Sequence, residues 1–386
     1  MELTVRKNEI LQELQFFQGI VERKNTIPIL ANILVEADAG ADVVRLAATD
    51  LEVGLRSRCA ATITKGGAIT LPAKKLYEIV RALPDTEVRI TQSAAGAVTV
   101  AAERFNSRMQ TLQRDDFPAL PDATGEGTET LPGDILREMV SKTQFAISGE
   151  DTRYFLNGAL FLFTDRAMSL VATDGHRLAL VSSPRERTEA GVATDSEPAP
   201  EAHGDADATR VILPKKTLWE LARLLGDDVE TVTYERGDNH LFFDLAGRQL
   251  ISRMIDAQFP AYERVIPKGN DKRIEFERDR LTSAIKRVAL LSSERSRAVK
   301  FQIDGGKVEI TSSSPEVGEA SEVLTVDYDG PALGICFNAQ YLLDFMAVAE
   351  TESVTLEFKD ELSQAVLSPA GSNGCDYTYV IMPMRI

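Results

Sequence analysis

Cysteine is scarce in this sequence: Cys59, Cys336 and Cys375 are its only cysteines in 386 residues, and no two have CxxC spacing. This scarcity excludes a disulfide framework and a zinc ribbon, and it is typical of a reduced cytosolic protein. Long apolar runs are also missing, since none approaches the ~18 residues that a membrane span needs. We therefore expect a cytoplasmic protein that is not attached to a membrane.

The common catalytic signatures are absent as well. The sequence has no GxGxxG, no GxxxxGK[ST] and no HExxH, and its three histidines (His176, His203 and His240) lack the paired spacing of metal ligands. Aromatic residues make up only 6% of the chain, but 44% of all residues are hydrophobic, which is enough to form buried cores. We expect no catalytic residue, no metal and no cofactor.

An internal repeat is the most informative feature that is present. Asp50 and Asp174 lie 124 residues apart within AATDLEVGL and VATDGHRLAL, and Pro72 and Pro214 lie 142 apart at the start of similar helical segments. A third, more diverged copy runs from IEFERDRLTSAIKRVALL to YTYVIMPMRI. Three related units in one chain indicate a repeated-domain architecture. The predicted domains are residues 1–121, 129–263 and 264–386.

Each repeat alternates β-type runs with two helical segments, which predicts an α+β fold with both helices on one face of the sheets. The change of offset between the first two repeats locates an 18-residue insertion within residues 184–209. This stretch is acidic, contains three prolines and has no apolar periodicity. We expect it to be an exposed, disordered loop, and a functional tail is the alternative.

Basic residues recur at equivalent positions although the chain has a net charge of −16. Lys74 and Arg81 lie seven residues apart in the first repeat, and Lys216 and Arg223 repeat this spacing in the second. Seven residues are two helical turns, so each pair shares one helix face. A solvated helix face would explain one such pair, but the recurrence favours presentation toward a polyanion through phosphate contacts that are independent of base sequence.

The segment TDGHR at 173–177 offers the competing interpretation, an enzyme of nucleotide metabolism or hydrolysis with its site near His176. The first repeat carries TDLEV at the same place. The segment is therefore first of all a strand–turn element, and a binding surface at His176 is the other alternative.

The motifs RYFLNG, VATDGHRLA, SRMIDAQFPAYERVIPK and YVIMPMRI resemble the bacterial DNA polymerase III beta subunit family, the sliding clamps, over the whole chain. The resemblance implies three domains of one fold per subunit and a head-to-tail dimeric ring around duplex DNA, with helices lining the hole and sheets outside. A trimeric clamp of the archaeal and eukaryotic kind is less compatible, because that clamp has two units per chain and this chain has three.

The resemblance also implies three sets of functional residues. The predicted DNA-facing residues are Lys24, Lys74, Arg81, Arg137, Lys216, Arg223, Arg280, Lys286 and Arg287. The predicted groove for partner peptides comprises Leu156, Thr173, Gly175, His176, Arg177, Leu178, Pro260, Arg264, Val265, Asn338, Tyr341, Val380, Ile381, Met382, Pro383 and Met384. The predicted subunit seam comprises Lys75, Ser107, Arg108, Met109, Leu290, Leu291, Glu316, Glu319 and Glu322.

The implied partners are a second copy of the chain, double-stranded DNA, the polymerase III catalytic subunit, the clamp loader and other proteins with a clamp-binding motif. The implied location is the cytoplasm, at the nucleoid. Three positions depart from the family pattern. Lys24 stands where the family often has arginine on a DNA-contacting loop, a change that preserves the charge. Glu150 would repel phosphate where a glutamine is known in the family, and Ser107 stands where the family can carry phenylalanine, which weakens the apolar part of the seam.

Overall fold

The computed structural model describes residues 1–21, 26–93, 96–149, 152–164, 166–185, 209–371 and 374–385. Lys24, Glu150 and residues 186–208 of the predicted insertion lie outside these ranges. The helices of the described part are α1 Lys7–Ile20, α2 Ala73–Ala82, α3 Gly133–Thr143, α4 Lys215–Leu224, α5 Arg278–Ala289 and α6 Ala339–Val348.

Strands of the first repeat are β1 Glu2–Arg6, β2 Asn32–Ala37, β3 Val43–Thr49, β4 Val53–Ala60, β5 Thr62–Lys65, β6 Gly67–Pro72, β7 Glu87–Gln92, β8 Val98–Ala102 and β9 Phe105–Met109. Strands of the second are β10 Glu129–Pro132, β11 Gly158–Phe163, β12 Ala167–Thr173, β13 Arg177–Pro184, β14 Thr209–Pro214, β15 Thr231–Arg236, β16 His240–Leu245 and β17 Arg248–Arg253. Strands of the third are β18 Lys272–Glu277, β19 Ala298–Asp304, β20 Lys307–Ser314, β21 Gly318–Thr325, β22 Leu333–Asn338, β23 Ser353–Phe358, β24 Ala365–Pro369 and β25 Asp376–Ile381.

The element order confirms the predicted repeat. Each third of the chain runs through a strand, a helix, a group of strands, a second helix and three final strands, and among the described residues only the first third has the additional short β5. Pro72 and Pro214 end the strands that lead into α2 and α4. Proline suits this boundary because it cannot continue a central strand but fits the start of a helix. The α+β prediction with two helices per repeat is confirmed.

Unit 1 consists of Met1–Leu136 and Lys216–Met254. It holds an antiparallel sheet in the order β5-β1-β7-β8-β9 and an eight-stranded antiparallel sheet in the order β10-β15-β16-β17-β4-β3-β2-β6. The larger sheet joins strands of the first two repeats through the β17–β4 pair, where Ile251 lies opposite Gly54. Helix α1 packs on α2 and on β4, and its Ile10, Leu14 and Phe17 are fully buried.

Unit 2 consists of Arg137–Lys215 and Ile255–Ile386. Its eight-stranded sheet has the order β14-β11-β12-β13-β25-β24-β23-β18, and its four-stranded sheet has the order β21-β20-β19-β22. The larger sheet joins the second and third repeats through β13 and β25, where Leu178 lies opposite Val380. Pairing two half-sheets in this way covers strand edges that would otherwise be exposed.

Two observations concern only the described part of the chain. None of its helices combines the length and the hydrophobicity that crossing a membrane requires. Within the same ranges, no group of three or more His, Cys, Asp or Glu side chains is arranged to hold a metal ion.

Candidate functional site

The turn between β12 and β13 is the centre of the predicted groove. Asp174 Oδ1 accepts hydrogen bonds from the backbone amides of His176 at 2.9 Å and Arg177 at 3.1 Å. Thr173 Oγ1 accepts from the amide of Gly175 at 3.1 Å and donates to the carbonyl of Arg177 at 2.6 Å. Gly175 has φ +88°, a left-handed conformation that glycine adopts without steric cost. These bonds fix the turn and leave His176 exposed.

Arg177 follows this turn, and its guanidinium is an internal tie. Its Nε donates to Asp174 Oδ2 at 3.1 Å, and its Nη1 donates to Asp344 Oδ2 on α6 at 2.6 Å. Nη2 donates to the carbonyl of Phe145, in the 3₁₀ turn after α3, at 2.6 Å. The side chain is only 9% exposed. Arg177 therefore connects three segments of unit 2, and most of its hydrogen-bonding capacity is taken up inside the protein.

Aromatic rings enclose the same guanidinium. Its Cζ lies 4.3 Å from the ring centroid of Tyr341 and 5.3 Å from that of Phe145. Burial raises the pKa of Tyr379, so its phenol stays protonated and donates to the carbonyl of Tyr341 at 3.0 Å. The arrangement is a satisfied buried network, which is rigid because every member has a partner. Sequence reasoning assigned Arg177 to the groove lining and missed its role as an anchor.

The chain terminus runs beside the turn. Met382 N donates to the carbonyl of His176 at 2.9 Å, and Met384 N donates to the carbonyl of Cys336 at 2.8 Å. Val380 and Ile381 are buried, whereas Met382 is 37% exposed. The backbone bonds thus hold the terminal segment in place and present Met382 at the surface.

An apolar cluster lies under this surface. Its buried members are Leu160, Leu162, Val171, Leu178, Ile212, Phe259, Tyr262 and Val380. Two predicted groove residues, Leu178 and Val380, belong to this cluster, so they form the floor and not the exposed wall. An adaptable apolar surface with a few polar groups at its edge is the usual composition of a ligand site.

The other predicted groove residues, all of which lie in unit 2, differ in how exposed their side chains are. Leu156 and Ile381 are buried, and the exposed ones are Gly175, His176, Pro260, Arg264, Val265 and Met382. Thr173, Arg177, Asn338, Tyr341, Pro383 and Met384 are half-buried. Asn338 caps α6, because its side-chain oxygen accepts from the amides of Gln340 at 2.9 Å and Tyr341 at 3.4 Å. Only its amide NH₂ group therefore remains to donate to a ligand.

Two residues of the segment before β11 were missed by the sequence analysis. The Arg153 guanidinium lies 3.2 Å from where a Cβ on Gly175 would stand, and Tyr154 is 58% exposed. Both belong to the motif RYFLNG, which was already noted. The sequence signal for these residues was the adjacent cation and aromatic residue that begin this motif.

The predicted DNA-facing residues of α2 carry a nearby carboxylate. Lys74 Nζ lies 3.8 Å from Glu78 Oε1, and Lys75 Nζ lies 2.8 Å from Glu78 Oε2. The Arg81 guanidinium stacks over the ring of Tyr77 at 5.5 Å. All three cations remain exposed, so they can still contact a polyanion.

On α4 the equivalent cations have internal partners in unit 1. Lys216 Nζ forms an ion pair with Asp50 and donates to the carbonyl of Ile20 at 3.2 Å. Arg223 contacts Glu220 at 2.8 Å and donates to the carbonyl of Gln15 at 2.9 Å. Glu78 and Glu220 occupy the same repeat position, a regularity that is visible in the sequence. Lys216 and Arg223 are thus less available for phosphate than the spacing alone predicts.

In the third repeat, Arg280 and Lys286 are exposed, and in the second Arg137 is half-buried. Arg287 binds Glu322 with both ends of its guanidinium, Nε to Oε2 at 2.8 Å and Nη2 to Oε1 at 2.5 Å. Glu322 was predicted to lie in the seam with a second subunit. Here its pKa is lowered by the hydrogen bond from Arg287 within one chain.

The predicted seam residues lie largely on sheet edges. Ser107, Arg108 and Met109 belong to β9, an edge strand of unit 1, and Glu319 and Glu322 belong to β21, an edge strand of unit 2. Leu290, at the end of α5, is 78% exposed. Leu291 is half-buried, and Glu316 is exposed.

Three exposed apolar residues accompany the predicted seam residues. Val317 and Val323 lie at β21 with exposures of 57% and 53%, and Phe105 on β9 is 41% exposed. The sequence analysis missed them because the burial of a side chain on an edge strand depends on the strand that is missing beside it, and the sequence does not show which strands lie at an edge. Phe105 lies two residues from Ser107 on the same strand and exposes an aromatic ring there.

The chain is similar to known proteins over its whole length. Residues 1–121, 130–261 and 263–385 match the N-terminal, central and C-terminal domain families of the DNA polymerase III beta subunit. The chain is 37% identical to the beta sliding clamp of Pseudomonas putida and 34% identical to that of Escherichia coli K12, with 100% of each chain covered. Among solved structures, a Pseudomonas aeruginosa sliding clamp bound to griselimycin (34% identity) and a Caulobacter crescentus clamp (35% identity) match with TM-scores of 0.88 and 0.86, again over 100% of each chain.

Proposed function

We infer how this protein works from the premise that the chain belongs to the DNA polymerase III beta subunit family. It is a DNA sliding clamp for processive replication, made of three clamp domains, and it is not itself catalytic. The observation that carries this conclusion is the match of three successive domain families along the full chain. The competing enzyme interpretation of His176 is thereby set aside.

Two copies, in this proposal, close head to tail into a ring. The unpaired edges β9 and β21 support this, since each carries seam residues and exposed apolar side chains. Antiparallel or parallel pairing of two such edges would satisfy main-chain groups that otherwise face solvent. Leu290 adds apolar area that a single chain leaves uncovered.

The proposed DNA contacts are weak and numerous. Exposed Lys74 and Arg81 on α2 and exposed Arg280 and Lys286 on α5 supply them, with Lys216, Arg223 and Arg287 contributing less because of their internal ion pairs. Contacts to phosphate carry no base information, and they exchange readily with counterions. A closed ring with such contacts slides along the duplex without dissociating. The proposed domain limits remain residues 1–121, 129–263 and 264–386.

The proposed groove at residues 173–178 and 380–384 receives short peptides from partner proteins. The replicative polymerase is the first of them. We also propose the clamp loader and other proteins with a clamp-binding motif as partners, and the nucleoid as the place of action. Support comes from the rigid turn at Asp174, the apolar floor at Leu178 and Val380, and the exposed Met382.

The seam provides the test of the ring. We expect the double variant Leu290→Ala, Leu291→Ala to shift the protein from dimer to monomer in light scattering, because apolar burial drives association. The same variant should lose retention on closed circular duplex DNA. The matched control is Leu362→Ala, which removes another exposed leucine (56%) from a turn outside the seam. A double variant that stays dimeric at nanomolar concentration would refute this seam.

A further inference from the structure

Trp219 is the only tryptophan of the chain, and it lies in the middle of α4. Its neighbours Leu218, Glu220 and Leu221 are buried, but Trp219 is 53% exposed. Tryptophan is highly buried on average, so this half-exposed indole offers an unusual amount of aromatic surface for a contact.

Cations flank this tryptophan on the same helix face. Lys216 precedes it by three residues and Arg223 follows it by four, so both lie about one turn away. Their bonds to the carbonyls of Ile20 and Gln15 tie α4 to α1 within unit 1. The helix face that carries Trp219 is therefore held in a fixed orientation, and the cation at each end shares its charge with a carboxylate, Asp50 for Lys216 and Glu220 for Arg223.

The first repeat has an aromatic residue at the equivalent place. Tyr77 on α2 is half-buried, and Arg81 stacks on its ring at 5.5 Å. Both aromatic residues thus sit between the two positions of the repeated basic pair. Aromatic rings interleaved with basic residues are the usual composition of a surface that binds single-stranded nucleic acid.

We propose that Trp219 stacks on unpaired bases of single-stranded DNA, with Tyr77 as a weaker second contact. This inference rests on the proposed clamp function and deepens it. A duplex hides the faces of its bases within the stack, so an aromatic ring there reaches only sugar and phosphate. Unpaired bases expose their faces. Every base has such a face, so stacking on an aromatic ring does not depend on the base sequence. The contact would hold the ring where template DNA is still unpaired.

The single tryptophan makes the test direct, because emission excited at 295 nm comes from Trp219 alone. We expect a thymine oligonucleotide of about 20 nucleotides to quench this emission at low salt, and a blunt duplex of equal length to leave it nearly unchanged. As a reporter control, Leu362→Trp in a Trp219→Phe background places the only indole on an exposed turn beside Asp360 and Glu361. That protein should show no quenching with either DNA.

Affinity supplies the second measurement. Trp219→Leu should weaken binding of the labelled oligonucleotide about tenfold in fluorescence anisotropy, within the range of one base–aromatic stack. Trp219→Phe should retain most of the affinity, and both variants should remain dimers that are retained on circular duplex DNA. Equal quenching by oligonucleotide and duplex, or unchanged affinity in Trp219→Leu, would overturn the proposal. Loss of retention on circular duplex DNA by the unmodified protein would instead refute the clamp function.

Discussion

The turn at residues 49–53 in unit 1 and the turn at 173–177 in unit 2 share one backbone construction. Asp50 Oδ1 accepts from the amides of Glu52 at 2.9 Å and Val53 at 2.7 Å, as the aspartate of the second turn does from its own neighbours. Arg253 N donates to the carbonyl of Glu52 at 2.8 Å, which matches the bond from the chain terminus in unit 2. The repeat has therefore preserved the turn together with its neighbouring strand. We call this pair the frame; it comprises residues 49–54 and 250–253 in unit 1, and residues 173–178 and 379–384 in unit 2.

The side chains on the two frames differ. Gly54 stands where the second turn is followed by Leu178, and a Cβ on Gly54 would lie 2.7 Å from Leu120 Cδ2. Leu120 thus covers the site in unit 1 and leaves a cavity of about 80 Å³ beside it. In unit 2 the leucine lies in the floor, and Met382 is exposed above it. In unit 1 the chain's own Leu120 covers the frame, and we infer that in unit 2 the frame is open to a ligand.

The ion pairs of the two aspartates also differ between the two units. Asp50 pairs with Lys216, whose side chain is 25% exposed, whereas Asp174 pairs with Arg177, whose side chain is 9% exposed. A buried guanidinium with three hydrogen-bonded partners holds its surroundings more firmly than a partly solvated ammonium. We infer that the second frame is made rigid for binding, which lowers the entropy lost when a peptide docks.

The largest effect is expected from breaking the buried anchor. Arg177→Met would leave Asp174 and Asp344 without their cation, and removing one partner of a buried ion pair costs about 3 kcal/mol or more. The free energy of unfolding, measured with urea, should fall by about this amount for unit 2. Lys216→Met should cost less, since Lys216 is more exposed. Equal losses in the two variants would contradict the difference in anchoring.

A second, smaller effect concerns ligand binding. Deleting residues 382–386 should reduce the affinity for a peptide with Gln followed by spaced Leu and Phe by at least tenfold, because the apolar wall at Met382 is lost. The dimer and its retention on circular DNA should persist. Deleting residues 385–386 alone is the matched control and should bind normally. Equal peptide binding by the long deletion and the intact protein would exclude this groove.

The smallest effect concerns the turns themselves. Leu51 has φ +80° where the second turn has Gly175, and a left-handed conformation costs a non-glycine residue about 1 kcal/mol. Leu51→Gly should therefore leave the free energy of unfolding unchanged or raise it by up to about 1 kcal/mol, because Leu51 is 46% exposed and loses little burial. Gly175→Ala should lower it by about 1 kcal/mol and displace Arg153. A clear fall in the free energy of unfolding for Leu51→Gly, or a rise for Gly175→Ala, would show that the two turns are not equivalent.

Sequence patterns predicted the repeat and the two helices per repeat because apolar periodicity and the positions of Pro72 and Pro214 are local properties. They did not predict that β17 pairs with β4 or β13 with β25, since pairing over such distances leaves no local signal. The partners of Lys216 and Arg287 were missed for the same reason. The shared repeat position of Glu78 and Glu220 is a different case, because it is visible in the sequence alone.

Amide hydrogen exchange with and without the Gln–Leu–Phe peptide tests the central comparison most directly. It reports both frames in one experiment on the intact protein. We predict slower exchange at residues 173–178 and 379–384 when the peptide is bound, and no change at residues 49–54 and 250–253. Protection of the unit 1 segments, or protection of both sets alike, would contradict the claim that only the second frame is open to a ligand.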